Sequence, residues 1–231
     1  MIKRKTEYFL TGVFGFIFVL CIIMIIKDII DYRIAKKEYD GLKEELPLSD
    51  ITPDCSEDAK VSAYKPQKSE DNKYFDRLYR INPDLVCILS IPSLGIDYPV
   101  VQGTDNEKYL NYTFEGKRNP AGCLFMDCEN NSNFSDNNTY IYGHNMKDGS
   151  MFGSLKQMAK EGFDKSKVKA YITTEEETSR YNLDNVEVVD IENYKVPEDK
   201  TKGLLTLYTC WGKNKNKRLL VTFSKEGTKQ S

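Results

Sequence analysis

Hydrophobic residues are distributed very unevenly along this chain. An uncharged run from Phe9 to Ile26, dense in Phe, Ile, Leu and Val, opens it. That run is long enough for a transmembrane helix and longer than the apolar part of a cleaved signal peptide. No small-residue cleavage site follows; the next residues are Lys27, Asp28, Ile29 and Ile30. The pattern predicts an uncleaved signal anchor over 9–30. Residues 1–8, with Lys3, Arg4 and Lys5, are then placed in the cytoplasm by the positive-inside rule, although Lys27, Arg33, Lys36 and Lys37 on the far side pull against it.

From Asp31 to Leu46 the chain is charged, with Ile34, Tyr39 and Leu42 at helical spacing, and Pro47 closes the segment. Residues 47–72 are polar and carry no apolar period. Together 31–72 are expected to form a stalk and linker holding a domain, 73–231, off the membrane. That domain opens on a short amphipathic helix, Lys73 to Arg80. Short runs punctuated by turn residues follow, with strands expected at 84–91, 95–101, 122–127, 138–143, 168–173, 181–190, 203–209 and 218–223. One helix is expected from Ser150 to about Lys160. Many short strands with few helices point to a mainly β domain, a closed barrel or a sandwich.

Composition narrows the function. The 33 basic and 35 acidic residues nearly cancel, which argues against a nucleic-acid binder. Cys21 falls in the anchor, and Cys55, Cys87, Cys123, Cys128 and Cys210 lie beyond it. An odd number in an exported domain leaves at least one thiol unpaired. Cys87, within Leu85-Val86-Cys87-Ile88-Leu89, reads as a buried hydrophobe. With one His in the chain a His/Cys zinc site has little support, and neither a metal nor a cofactor is expected.

Three residues can carry chemistry. His144 follows the run Tyr140-Ile141-Tyr142-Gly143, Cys210 ends Leu204-Leu205-Thr206-Leu207-Tyr208-Thr209, and Arg218 opens Arg218-Leu219-Leu220-Val221. Taken singly, each has a plain structural reading. Together they suggest nucleophilic catalysis. A thiol with a reference pKa of about 8.5 needs a neighbouring base or positive charge to attack an amide. An imidazole can supply that help and later protonate the leaving amine. A guanidinium can hold the substrate and its developing oxyanion. Strands joined by 211–217 would make Cys210 and Arg218 antiparallel neighbours; the spacing does not by itself bring His144 to them.

Leu207-Tyr208-Thr209-Cys210 followed by Arg218-Leu219-Leu220-Val221 resembles the signature of the sortase family. The segment from Ile141 to Gly153 resembles the histidine motif of class B sortases, as do Ile96 to Gly103, Tyr109-Leu110-Asn111 and Gly122 to Asp127. The resemblance covers about Asn82 to Phe223. It implies a closed eight-stranded β-barrel and catalytic roles for Cys210, His144 and Arg218, with substrate bound near Asn106, Leu110, Tyr142, Tyr208 and Thr209. It implies a transpeptidase that cuts a C-terminal sorting signal of exported proteins, NPxTN-like, after its Thr. The acyl group would pass to an amine of cell-wall peptidoglycan or, in a pilin polymerase, to a pilin Lys, on the outer face of a Gram-positive membrane. Two departures stand out. Tyr208 occupies the place of a Ser in the class B cysteine motif, and the interval from His144 to Cys210 is short, with Thr173 to Arg180 where a long helix would be. A membrane-tethered binding module with a degenerate site is the non-enzymatic alternative.

Overall fold

The computed structural model describes residues 2–44, 71–194, 203–212 and 216–227. Most of the expected linker, with Pro47 and Cys55, lies outside the described residues. Two helices, α1 (Ile2–Glu44) and α2 (Asp71–Ile81), precede eight strands. These are β1 (Leu85–Ile91), β2 (Ile96–Val101), β3 (Leu124–Met126), β4 (Asn138–Tyr142), β5 (Lys169–Thr173), β6 (Thr178–Asp190), β7 (Leu204–Cys210) and β8 (Lys217–Lys225). They close into one barrel in the order β1-β2-β3-β4-β7-β8-β6-β5. All eight expected strands are present.

Two neighbouring pairs are parallel, β2 with β3 and β4 with β7, and the rest are antiparallel. The alternation of side chains along each strand separates core from surface. In β4, Thr139 and Ile141 turn inward while Asn138, Tyr140 and Tyr142 remain half-buried. In β8, Leu219, Val221 and Phe223 are fully buried, and in β7 so are Leu205 and Leu207. They meet Leu89, Val100, Leu124 and Met126 in one continuous core. Each such side chain contributes about 1.5–3 kcal/mol relative to remaining in water.

The helix expected over Ser150 to Lys160 is absent. That stretch is a series of turns with one short 3-10 turn, Leu155–Gln157. Met151 sits at φ 50°, in the left-handed region that a right-handed helix cannot contain. Gly153 packs so tightly that an added Cβ would lie 2.2 Å from the Met146 carbonyl oxygen. Thr173 to Arg180 is not helical either. It forms the end of β5, a tight turn closed by Thr174 N–H to the Glu177 carbonyl, and the start of β6.

The stretch of α1 from Phe9 to Leu42 contains a window long and apolar enough to cross a membrane, with a mean hydropathy of 2.9 and none of that window buried. Farther along the same helix the surface changes. Ala35, Glu38, Tyr39 and Leu42 are buried against the barrel, where the Tyr39 and Tyr98 rings meet edge to face at 5.4 Å. The stalk sequence is thus a docked helix.

Candidate active site

The site is built on the ladder between β4 and β7. Its last pairs are Ile141 with Leu207 and Tyr142 with Tyr208, closed by Gly143 N–H donating to the Tyr208 carbonyl at 3.2 Å. The two chains run in the same direction, so His144, two residues past Tyr142, leaves the sheet beside Cys210, two residues past Tyr208. Asn145 Nδ2 then donates to the Cys210 carbonyl at 2.8 Å, and the Thr209 hydroxyl to the Gly143 carbonyl at 2.7 Å. On the other side of β7, Cys210 pairs directly with Arg218 of β8.

Period-two alternation puts these residues on one face. Ile141, Leu207, Thr209 and Leu219 point inward and are at most 2 % exposed. Tyr142, Tyr208, Cys210 and Arg218 therefore project outward, Cys210 exposed and the others half-buried. His144, Cys210 and Arg218 share one barrel rim. Sequence spacing had left His144 unplaced; the parallel ladder puts it there.

The imidazole is oriented by a backbone group. His144 Nε2 lies 2.8 Å from the Leu110 carbonyl oxygen. A carbonyl only accepts, so Nε2 carries the proton and Nδ1 is the ring nitrogen left to exchange one. Leu110 ends a 3-10 turn, Lys108–Leu110, that is fastened to the start of β1. Asp84 accepts from Lys108 Nζ at 2.8 Å and from the Tyr109 hydroxyl at 2.5 Å. The Lys108 hydrogen bond, followed by that of Tyr109, holds the Asp84 carboxyl below its ordinary range.

Beside the rim, Tyr142 and Tyr208 pack edge to face at 5.2 Å, and the Arg218 guanidinium lies 5.9 Å from the Tyr208 ring. Burial raises the Tyr208 hydroxyl, while the positive charge of Arg218 acts in the opposite direction. The Tyr142 hydroxyl donates to Asp127 at 2.5 Å. Burial pushes Asp127 upward, but hydrogen bonds from Tyr142, the Glu129 amide and Asn106 outweigh it and hold its carboxyl below the usual value. The Tyr208 ring joins Arg218 to this network.

Two expected substrate residues have other partners. Asn106 uses its amide on Asp127 at 3.1 Å and on the Cys128 backbone N–H at 2.9 Å, which ties two loops together. Thr209 is only 2 % exposed and faces the core with its hydroxyl held by Gly143, so its side chain is not open to a ligand. Leu110, Tyr142 and Tyr208 do border the rim. Sequence reasoning missed Asn145, Asp127, Gly143 and the Leu110 carbonyl. A backbone acceptor leaves no signal in a side-chain motif, and the polar partners are defined by geometry alone. Two other thiols are set apart from the exposed Cys210: Cys87 and Cys123 are buried, and burial pushes the Cys123 thiol up to about 12.

Residues 89–226 match the Sortase domain family, well over half of the chain. The chain belongs to the sortase family. Among its relatives is the sortase B of Listeria monocytogenes, 33 % identical over 132 residues. The match covers 57 % of this chain and 52 % of that protein, so it spans about half of the relative's length. A sortase B of Clostridium perfringens superposes with a TM-score of 0.58 at 27 % identity, covering 65 % of this chain and 98 % of that one. A Streptococcus pyogenes class B sortase involved in pilus biogenesis does so with a TM-score of 0.58 at 25 % identity, covering 66 % and 97 %.

Two outcomes are expected of this sortase's rim. In Gly143→Ala the new Cβ would lie 2.4 Å from Leu124 and 2.7 Å from Phe152, both fully buried. The variant should lose about 1–3 kcal/mol of stability in denaturant unfolding, the usual cost of overpacking. Asp127 has a depressed folded-state pKa, so its contribution is present at neutral pH and disappears as pH falls through that value. The melting-temperature advantage of the wild type over Asp127→Asn should therefore shrink between pH 7 and about pH 3. A constant difference would show that the carboxylate charge is not what matters there.

Proposed function

We propose that this chain is a cysteine transpeptidase of the cell envelope, with Cys210 as nucleophile, His144 as general acid and base, and Arg218 as the group that holds the substrate carbonyl. The observation that carries the reading is the convergence of these three residues on the outward face of one rim. The Cys210 thiolate adds to the scissile carbonyl, and the guanidinium stabilises the oxyanion. The C–N bond then breaks, with Nδ1 of the imidazolium giving its proton to the leaving amine. This leaves a thioester on Cys210. An incoming amine attacks it, His144 accepts a proton, and the new amide departs as the thiolate is restored.

Family membership supports an exported protein as substrate. Exported proteins with a C-terminal sorting signal, NPxTN-like and cut after Thr, would lie along Leu110, Tyr142 and Tyr208, with peptidoglycan as acceptor. α1 would anchor the enzyme with its N-terminus inside and its barrel on the outer face of a Gram-positive membrane. A second reading, a pilin polymerase with a pilin Lys as acceptor, is favoured by the likeness to the pilus-associated S. pyogenes enzyme.

The test is incubation of the detergent-solubilised chain with a library of sorting-signal peptides and amine acceptors, with products read by mass spectrometry. Cys210→Ala should abolish cleavage and transfer, and turnover by that variant would end the proposal. His144→Ala and Arg218→Ala should each lower kcat/KM by about a thousandfold or more, with unchanged melting temperatures. Alkylation of the wild type should be selective for Cys210 and pH-dependent. A non-catalytic binding module would show the reactivity of any exposed thiol.

A further inference from the structure

The inference concerns how His144 is held, and it rests on the proposed catalytic role of that residue. The turn that presents the Leu110 carbonyl is supported from two sides. One support is the Asp84 cluster; the other is Gly122. Gly122 sits at φ 60° directly against the turn, and a Cβ there would lie 2.5 Å from the Tyr109 carbonyl oxygen and 3.0 Å from that of Leu110. Next to it, Cys123 N–H donates to the Tyr109 carbonyl at 3.0 Å. Whatever fixes Gly122 therefore fixes the position of the Leu110 carbonyl.

Gly122 is fixed by the membrane-proximal helix. The Tyr39 hydroxyl of α1 donates to the Gly122 carbonyl at 2.7 Å and accepts from the Phe114 N–H at 3.3 Å. The same loop grips α1 at three further points. Glu115 N–H donates to Glu38 Oε1 at 3.0 Å, Lys117 Nζ lies 3.5 Å from Glu38, and Asn119 Nδ2 donates to the Asp31 carbonyl at 2.6 Å. Glu38 and Tyr39 are both buried, at 7 % and 4 % exposure. The Tyr39 hydroxyl makes both of its contacts while buried, where an unmatched polar group is costly.

The helix is continuous from Ile2 to Glu44. Tyr39 lies thirteen residues beyond Ile26, the end of the apolar run, or about 20 Å at 1.5 Å per residue. We infer that the juxtamembrane end of α1 is a positioning element for the reaction, in which Tyr39, acting through Gly122 and the Leu110 carbonyl, holds His144 in the tautomer with its proton on Nε2. The anchor then does more than tether. It completes the orientation of the general acid, and a barrel released from α1 has a loosely held imidazole.

His144 is the only histidine in the chain, so its ring nitrogens give a single pair of NMR signals. Tyr39→Phe removes the hydroxyl and retains the ring that packs on Tyr98. It is compared with the wild type as the full chain in detergent micelles, below its melting temperature. The expected result is a change in the ring 15N shifts from the Nε2–H pattern toward a tautomer mixture. It should be accompanied by a loss in kcat of about fivefold, the scale of one hydrogen bond, with KM unchanged. Gly122→Ala, which disturbs the same link from the barrel side, should move the signals in the same direction. Ring signals in Tyr39→Phe identical to the wild type would overturn the inference. Because they are read without turnover, this outcome is separate from any failure of the catalytic role, which His144→Ala tests on its own.

Discussion

The register of β7 between its two neighbours is the constraint on which the site depends. Cys210 faces outward because Tyr142 is opposite Tyr208 on one side and Arg218 is opposite Cys210 on the other. A slip of one residue would turn Thr209 out and Cys210 in, since strand side chains alternate with a period of two. That register is enforced by Leu205 and Leu207 of β7, which are fully buried and would both be turned out of the core by such a slip. The chemistry at the rim is therefore kept in place by apolar packing in the barrel interior.

Outside the barrel, the rim is supported by loops that have little regular structure but many specific bonds. The 3-10 turn at Lys108–Leu110, the 111–122 loop and the turns around Met151 each use backbone groups as partners. Such segments are rigid only as long as those bonds are satisfied. Tyr208 shows how a single residue can be absorbed by this surround. Its ring lies between Tyr142 and Arg218 and makes that position part of an aromatic and cationic network.

α1 joins two environments in one element. Phe9 to Ile26 exposes large apolar side chains suited to lipid, while Ala35, Tyr39 and Leu42 bury a stripe against the protein. The stalk was readable as a helix from the spacing of Ile34, Tyr39 and Leu42, but its docking was not: Ile34 is exposed, and Ala35 joins Tyr39 and Leu42 on the buried stripe. The partner surface comes from residues 113–122, more than seventy positions along the chain.

The sequence by itself determined the eight strands and the apolar N-terminal helix, and it singled out Cys210, His144 and Arg218 as candidates, since each has a local cause: alternation, uninterrupted apolarity, or a short motif. It misled at Ser150 to Lys160, where helical composition yields to a left-handed Met151 and the close packing of Gly153. Nor did it show that the Asn106 and Thr209 side chains make internal bonds. Only the tertiary structure decided that β4 runs parallel to β7, that the Leu110 carbonyl meets His144 and that Tyr39 lies beneath Gly122. Those contacts join residues far apart in the chain through backbone atoms common to every amino acid, so no local pattern of side chains can specify them.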